Sequence, residues 1–390
     1  MIFIHGELHR PGGLRRKRFS FESCVFFLFF LFCFLVLGAA DYLVTGWGGA
    51  VVASFVFVIV FPFCFGFLQR SPRAALVSVF FLVSVFFVRG LMSEVSEYGA
   101  RKWVEAFCLP IILLSMMLFF FNAKNKVTIG YMAKAFIFCG LVTFFVAIFY
   151  KFFFGFWDRS VRFGFFGPIT FGWFMGLSFI AARAVNNRSP RFLLYALFGF
   201  GLVWTGSRGP LLACVITVIL LGFTSFRKSG GLVAIVMTCA AVVWGLDSSG
   251  YLSDVRQYKA ATKMVESGGV SSDASSETRY YYWMSSIEIF SDYPLFGVGI
   301  GRWQEFSDGA YHPYPHNVVL ELLSETGMSG LLLFLFFLLF VCLKFKGVRA
   351  YCLYFILCMA FSGDVSYLRY LVFFSLMYVS YVHENLVVDQ

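Results

Sequence analysis

Apolar runs of membrane-crossing length, one after another, set the strongest limit on what this chain can fold into. A helix needs about 20 residues to cross the hydrocarbon, and within lipid each segment must satisfy its own backbone amides. Runs near that length lie at 20–38, 46–68, 74–92, 103–121, 127–150, 163–182, 191–206, 209–226, 231–246, 327–343, 349–362 and 366–382. The expected fold is an all-α polytopic membrane protein with about twelve transmembrane helices. Only 13% of the 390 residues are charged, against roughly 25% in soluble domains.

The formal charge of +10 does not point to nucleic acid, because the basic residues sit in short clusters between apolar runs. Alternate connections hold most of them: Arg15 to Arg18, Arg70 and Arg73, Lys124 and Lys126, Arg183, Arg188 and Arg191, Arg227 and Lys228, Lys344, Lys346 and Arg349. The positive-inside rule assigns these connections, and with them both termini, to the cytoplasm. The run Phe19 to Leu37 exceeds the about 7–15 residues of a signal h-region, so despite Gly38-Ala39-Ala40 after it we expect a retained first span. Ten cysteines fall inside apolar runs with no C-x-x-C pair, which predicts small buried hydrophobes and no disulfide framework.

Three regions follow: spans over 1–246, a large outward loop over 247–326, and further spans over 327–390. A loop of that length is usually functional. Its Ser/Gly-rich beginning leads into Glu277 to Phe290, where Tyr280, Trp283, Met284, Ile287 and Phe290 recur at helical spacing before Pro294. Tyr and Trp favour the headgroup layer, so an amphipathic helix lying on the membrane surface is expected.

Outside the cell membrane there is no nucleotide to drive a transfer, and the chain has neither a Walker A loop nor a D-x-D motif. A transfer reaction there needs a substrate already activated, such as a lipid pyrophosphate. Arg101, Arg162, Arg208, Arg279 and Arg302 fall on the outward side, and the guanidinium fork matches phosphate oxygens. Arg208 stands in Gly206-Ser207-Arg208-Gly209-Pro210 between two apolar runs, where a helix N-terminus also attracts phosphate. A snorkelling arginine at a span end fits the same residues. Arg279 opens the surface helix, a poor place for a cation unless an anion binds there or Glu277 pairs with it.

His316 is the candidate general base, since histidine alone titrates near neutrality without perturbation. Pro313 and Pro315 stiffen its approach, and a helix is expected from about Asn317. His312 is four residues away, but the prolines break the spacing of an H-x-x-x-H metal site. No metal is expected. Asn317, Glu321 and Glu325 share one helical face; the two carboxylates can orient the histidine, bind sugar hydroxyls, form a wet face or make a structural ion pair. Gly297-Val298-Gly299-Ile300-Gly301 reads as a turn returning the loop to the membrane, because no strand precedes it as a nucleotide site requires.

The order of these features is specific: S-R-G at a helix start, then an Arg-led aromatic helix ending in Pro294-Leu295-Phe296-Gly297-Val298-Gly299-Ile300-Gly301. His316-Asn317 follows, with Leu320, Leu323, Glu325, Gly327 and Gly330 in x-x-L-x-x-L-x-E-x-G-x-x-G. In this the chain resembles the O-antigen ligase and polymerase superfamily of bacterial inner membranes. The resemblance implies a glycosyltransferase of C-type membrane architecture, metal-independent, inverting and without a cofactor. The donor would be a glycan on undecaprenyl pyrophosphate at the periplasmic face. A ligase would pass it to lipid A-core, whereas a polymerase of O-antigen or exopolysaccharide would pass it to a second lipid-linked glycan. Arg208 and Arg279 match the family's pyrophosphate-binding arginines and His316 its essential histidine. Arg162, Arg302, His312, Asn317, Glu321 and Glu325 are supporting candidates. A lipid-linked glycan transporter is the non-enzymatic alternative. Against it, the polar residues gather at the outer edge and no inverted halves are visible.

Overall fold

A computed structural model describes residues 27–28, 30–33, 35–36, 96–110, 112–113, 129–158, 161–226, 274–308, 310, 312–344 and 349–374. The runs at 46–68, 74–92 and 231–246, both termini and the loop up to 273 lie outside these residues. Helix dominates what is described; the β structure is a single isolated bridge between Phe163 and Phe166. We label the helices α1 (Glu97–Trp103), α2 (Ile129–Phe154), α3 (Pro168–Ala182), α4 (Arg188–Trp204) and α5 (Arg208–Phe226). After the loop come α6 (Ala274–Asp292), α7 (Trp303–Phe306), α8 (Val318–Lys344) and α9 (Arg349–Ser362). A 3₁₀ turn at Val365–Tyr367 leads into a last apolar helix that reaches Phe374.

Within α2 and α8, Met132–Phe154 and Val318–Leu339 are long and apolar enough to cross a membrane. The bundle packs α3 between α2 and α4 and against α5 and α9, while α8 lies on α6 and α9. Aromatic rings fill the centre. Phe30 meets Phe136 edge-on, Phe136 meets Phe374, and Phe355 stacks on Tyr370 with centroids 5.0 Å apart. Between lipid-facing helices no hydrophobic drive exists, so close contact depends on small residues. Gly176 is one: a Cβ there would stand 2.1 Å from the Tyr354 hydroxyl, which donates to the Gly172 carbonyl. Cys33, Cys139, Cys214, Cys352 and Cys358 are buried, as their apolar surroundings predict.

Several boundaries differ from the sequence expectation. The run at 163–182 becomes helical only at Pro168, because Gly164 is left-handed (φ 67°) and Phe163 pairs with Phe166 in a tight turn. The run at 103–121 starts earlier, with Glu97, and passes through a π-helical turn at Val104–Cys108. The helix expected from about Asn317 and the span expected over 327–343 are both present and run on as α8, with a break between them at Gly327 (φ 64°, ψ −163°).

That break is built jointly by two glycine motifs. Val298 and Gly299 donate their amides to the carbonyls of Ser324 and Glu325, each at 2.9 Å. In return Met328 and Ser329 donate to Pro294 and Leu295. The loop thus satisfies the groups that the kink releases. Any Cβ at Gly327 would lie 2.5 Å from the Leu295 backbone, and one at Gly297 2.5 Å from the backbone of Ser324 and Glu325. Both glycines are also left-handed, so size and backbone conformation exclude other residues together.

The amphipathic helix divides into two faces. Tyr280, Trp283, Met284 and Ile287 point away from the protein and Phe290 is half-buried. The protein side is a second stripe of Tyr282, Ser285, Ser286 and Ile289, and Trp303 Nε1 donates to Ser286 Oγ at 2.9 Å.

Candidate active site

Arg208 is the first residue of α5, delivered by a tight turn after α4. Gly206 is left-handed (φ 63°), and the Ser207 amide donates to Thr205 Oγ1 at 3.0 Å. Pro210 occupies the first turn, where its missing N–H is harmless, and packs within 3.1 Å of the Cβ position of Gly172 at the start of α3. Ser207 Oγ is buried there with no hydrogen-bond partner among the described residues.

Arg279 does not open its helix as the sequence reading expected. Since α6 starts at Ala274, the guanidinium lies beyond the first turn, where the N-terminal dipole has largely faded. It turns instead to the C-terminal end of α9. Arg279 Nη2 donates to Ser362 Oγ at 3.3 Å and Nη1 to the Phe361 carbonyl at 3.5 Å. A Cβ on Gly209 would stand 3.2 Å from the same Ser362 Oγ. The start of α5 and the end of the Arg279 side chain therefore meet at Ser362.

His316 has a left-handed backbone (φ 58°), the one non-glycine case among the described residues. Such a conformation is held only where the surroundings over-determine it, often at functional sites. Here the buried Pro315 precedes it and three rings surround it. Tyr314 is 4.4 Å away between centroids, His312 4.8 Å, and Tyr282 lies nearly parallel at 6.4 Å. Its Nδ1 is buried with no hydrogen-bond partner among the described residues. Burial first, then the neighbouring His312 and the charge of Arg279, push the imidazole down to about 4. The ring is therefore neutral at neutral pH and sits within reach of the Arg279 field.

A histidine depressed from 6.5 to about 4 binds fewer protons folded than unfolded between those values. Its contribution to stability is complete above pH 6.5 and falls as the pH drops through that window. For activity, the acid limb of kcat/KM, which reports the free enzyme, is expected near the lowered value. A limb of kcat/KM close to 6.5 that vanishes in His316→Asn would contradict the caged, neutral imidazole.

The remaining candidates separate into structural roles. Asn317 caps α8, its Oδ1 accepting the Val319 and Leu320 amides at 2.9 and 3.2 Å. Glu321 and Glu325 form no wet face: both are buried and both accept from Lys102 Nζ, Glu325 at 2.9 Å. They form the ion pair, not an orienting contact to the histidine. Arg302 pairs with Glu305 at 2.7 Å and lies over Phe306, a loop charge on a short helix. Arg162 is exposed beside Phe163, whose ring meets Trp204 at the end of α4. His312 stays near His316, with its amide 3.4 Å from the Tyr282 hydroxyl. Among the described residues no three His, Cys, Asp or Glu side chains are grouped to hold a metal ion.

Sequence reasoning missed the partners that lie outside this segment. The Lys102 cluster continues through Glu105, which accepts from Arg101 at 2.9 Å and from the buried Arg369 at 3.0 Å. Asp364 accepts from Tyr98 at 3.2 Å and from Ser366. Their signal was present, because charges at the edges of apolar runs are functional or structural candidates, but nothing in one sequence pairs position 102 with 321.

Residues 193–335 match the profile of a family described as O-Antigen ligase. Over those residues the chain is similar to the O-antigen ligase and polymerase superfamily. No curated protein matches the chain. The O-antigen ligase stretch runs from α4 into α8 and contains Arg208, Arg279 and His316. Two helices long and apolar enough to cross a membrane, together with the match over 193–335, fit a helical membrane protein and support a ligase- or polymerase-type role. The O-antigen ligase stretch does not contain Lys102 or Ser362.

Proposed function

We propose that this chain is a metal-independent, inverting glycosyltransferase that moves a glycan from undecaprenyl pyrophosphate to a sugar of lipid A-core at the periplasmic face of the inner membrane. One observation carries this reading. Arg279 is held at Ser362 against the start of α5, which Arg208 opens, while its charge acts on His316. The helix N-terminus that Arg208 opens and the Arg279 guanidinium both lie at Ser362, and the neutral His316 ring feels the charge of that guanidinium, which supports this reading although up to about a hundred residues separate them in sequence.

The chemistry follows from that placement. The acceptor hydroxyl oxygen attacks the anomeric carbon as the bond from that carbon to the pyrophosphate oxygen breaks, and the lipid pyrophosphate leaves with the electron pair. Arg208, Arg279 and the amides at the start of α5 stabilise the charge that grows on it, a preorganised electrostatic role. His316 accepts the proton of the hydroxyl. The field of Arg279 opposes that step in the empty site, and a bound pyrophosphate dianion cancels it. The donor thereby raises the basicity of His316 at the moment it is needed.

Orientation rests on the charges. Arg183, Arg188 and Arg191 stand at the opposite ends of α3 and α4 from Arg208, and Lys344 and Arg349 at the opposite ends of α8 and α9 from His316 and Ser362. The positive-inside rule then places these arginines and lysines in the cytoplasm, with both termini, and the site outside.

The test is transfer by the purified chain from a lipid-linked donor to lipid A-core in detergent, without an ion gradient. A new glycosidic bond supports the proposal, and vectorial movement of lipid-linked glycan with no bond formed would replace it by transport. In cells lacking this activity, core with no attached glycan indicates a ligase and core with a single repeat a polymerase.

A further inference from the structure

Ser362 and the turn that carries it have no place in the chemistry so far, and they lie outside the stretch that matches the family. Ser362 is buried at the C-terminal end of α9, where free carbonyls give that end its negative character. The guanidinium of Arg279 meets two groups there, Ser362 Oγ and the Phe361 carbonyl. Gly209 approaches the other side of the same serine.

The turn after Ser362 is fixed from several directions. Gly363 donates its amide to the Met359 carbonyl at 2.9 Å, closing α9. Asp364 receives the Tyr98 and Ser366 hydroxyls. The Val365 amide donates to Glu321 Oε2 at 3.1 Å, and the other oxygen of that carboxylate holds Lys102. Arg369 then ties Ser366 to Glu105. The buried ionic cluster thus grips the turn from 363 to 369, immediately after the residue that grips Arg279.

Resting on the pyrophosphate reading, we propose that Ser362 is a positioning residue for Arg279. The Ser362-Gly363-Asp364 turn, anchored by Tyr98 and Glu321, sets where that guanidinium meets the donor pyrophosphate at the start of α5. A long arginine on a surface helix loses much rotamer freedom when it binds phosphate, and an acceptor that holds it beforehand lowers that cost.

The experiment uses the purified full chain and undecaprenyl pyrophosphate in detergent micelles, with binding measured for the wild type, Ser362→Ala, Arg279→Ala and the double variant. Ser362→Ala is expected to weaken binding roughly tenfold, the scale of one hydrogen bond to a charged group. The double variant is expected to bind no more weakly than Arg279→Ala alone, because the serine acts only through the arginine. Thermal unfolding of Ser362→Ala in detergent should stay near that of the wild type. Should Ser362→Ala fail to accumulate, Ser362→Cys keeps the volume, weakens the acceptor and gives the same comparison. Wild-type affinity in the serine variant, or additive losses in the double variant, would overturn the positioning role and leave the pyrophosphate reading intact. A wild-type chain that does not bind undecaprenyl pyrophosphate overturns both.

Discussion

Arg208→Ala and Arg279→Ala should each slow glycan transfer by about 100- to 1,000-fold, the loss typical of removing one donor to a developing oxyanion. The folded protein should remain, because the buried ionic cluster that holds the turn and α8 together is built on Lys102, Glu105, Glu321, Glu325 and Arg369. Lysine should rescue Arg279 poorly. The two contacts at Ser362 and Phe361 use the separate Nη1 and Nη2 arms of one planar fork, and an ammonium cannot hold two directions while also meeting phosphate. Losses in the double variant should be less than multiplicative, since groups acting on one charge fail together. Transfer assays on purified variants, paired with unfolding curves in detergent, check both halves. Near-normal transfer in either alanine variant would remove that arginine from the mechanism.

Lys102→Met should destabilise the chain by roughly 3–5 kcal/mol, because it leaves Glu321 and Glu325 buried around a missing cation. That is a large part of the about 5–15 kcal/mol that holds a folded protein together. The expected outcome is loss of monodisperse protein on solubilisation, or a strongly lowered unfolding temperature. Adding Glu321→Gln and Glu325→Gln should recover much of the loss, since neutral amides need no cation beside them. A Lys102→Met chain that unfolds with the wild type would show that the cluster does not hold α1 to α8.

How much of this was legible in the sequence depended on where the partner of each residue lay. Asn317 and the start of α8 could be read locally, because a cap and the helix it begins are neighbours. His316 could be singled out by residue type and its flanking prolines, but not its left-handed backbone or its ring cage, which Tyr282 reaches from α6. The stripe of Tyr280, Trp283, Met284 and Ile287 was read at its helical spacing as the apolar face of a surface helix, and it is turned away from the protein. Tyr282, Ser286 and Ile289 form the inward face, and two small serines there hid its apolar character until Trp303 filled the gap.

The glycines show the same limit from the other side. The turn role of Gly297 to Gly301 was visible, as was the motif around Gly327, but not that each exists for the other. Glu321 and Glu325 shared a face, and an ion pair stood among the readings, but a single sequence does not name Lys102 as its cation. Ser362 gave no signal at all, since a serine near the end of an apolar run is ordinary in composition. Its meaning comes from Arg279 and Gly209, 83 and 153 residues away along the chain.

The most direct measurement is the position of the two phosphorus atoms of undecaprenyl pyrophosphate bound to the full chain, seen by cryo-electron microscopy in a lipid nanodisc. Phosphate oxygens within hydrogen-bond distance of both Arg208 and Arg279, with the His316 ring facing them across the space that the transferred sugar occupies, on the side from which the acceptor attacks, are the expected result. A pyrophosphate held elsewhere, with those three side chains turned from it, would contradict the account.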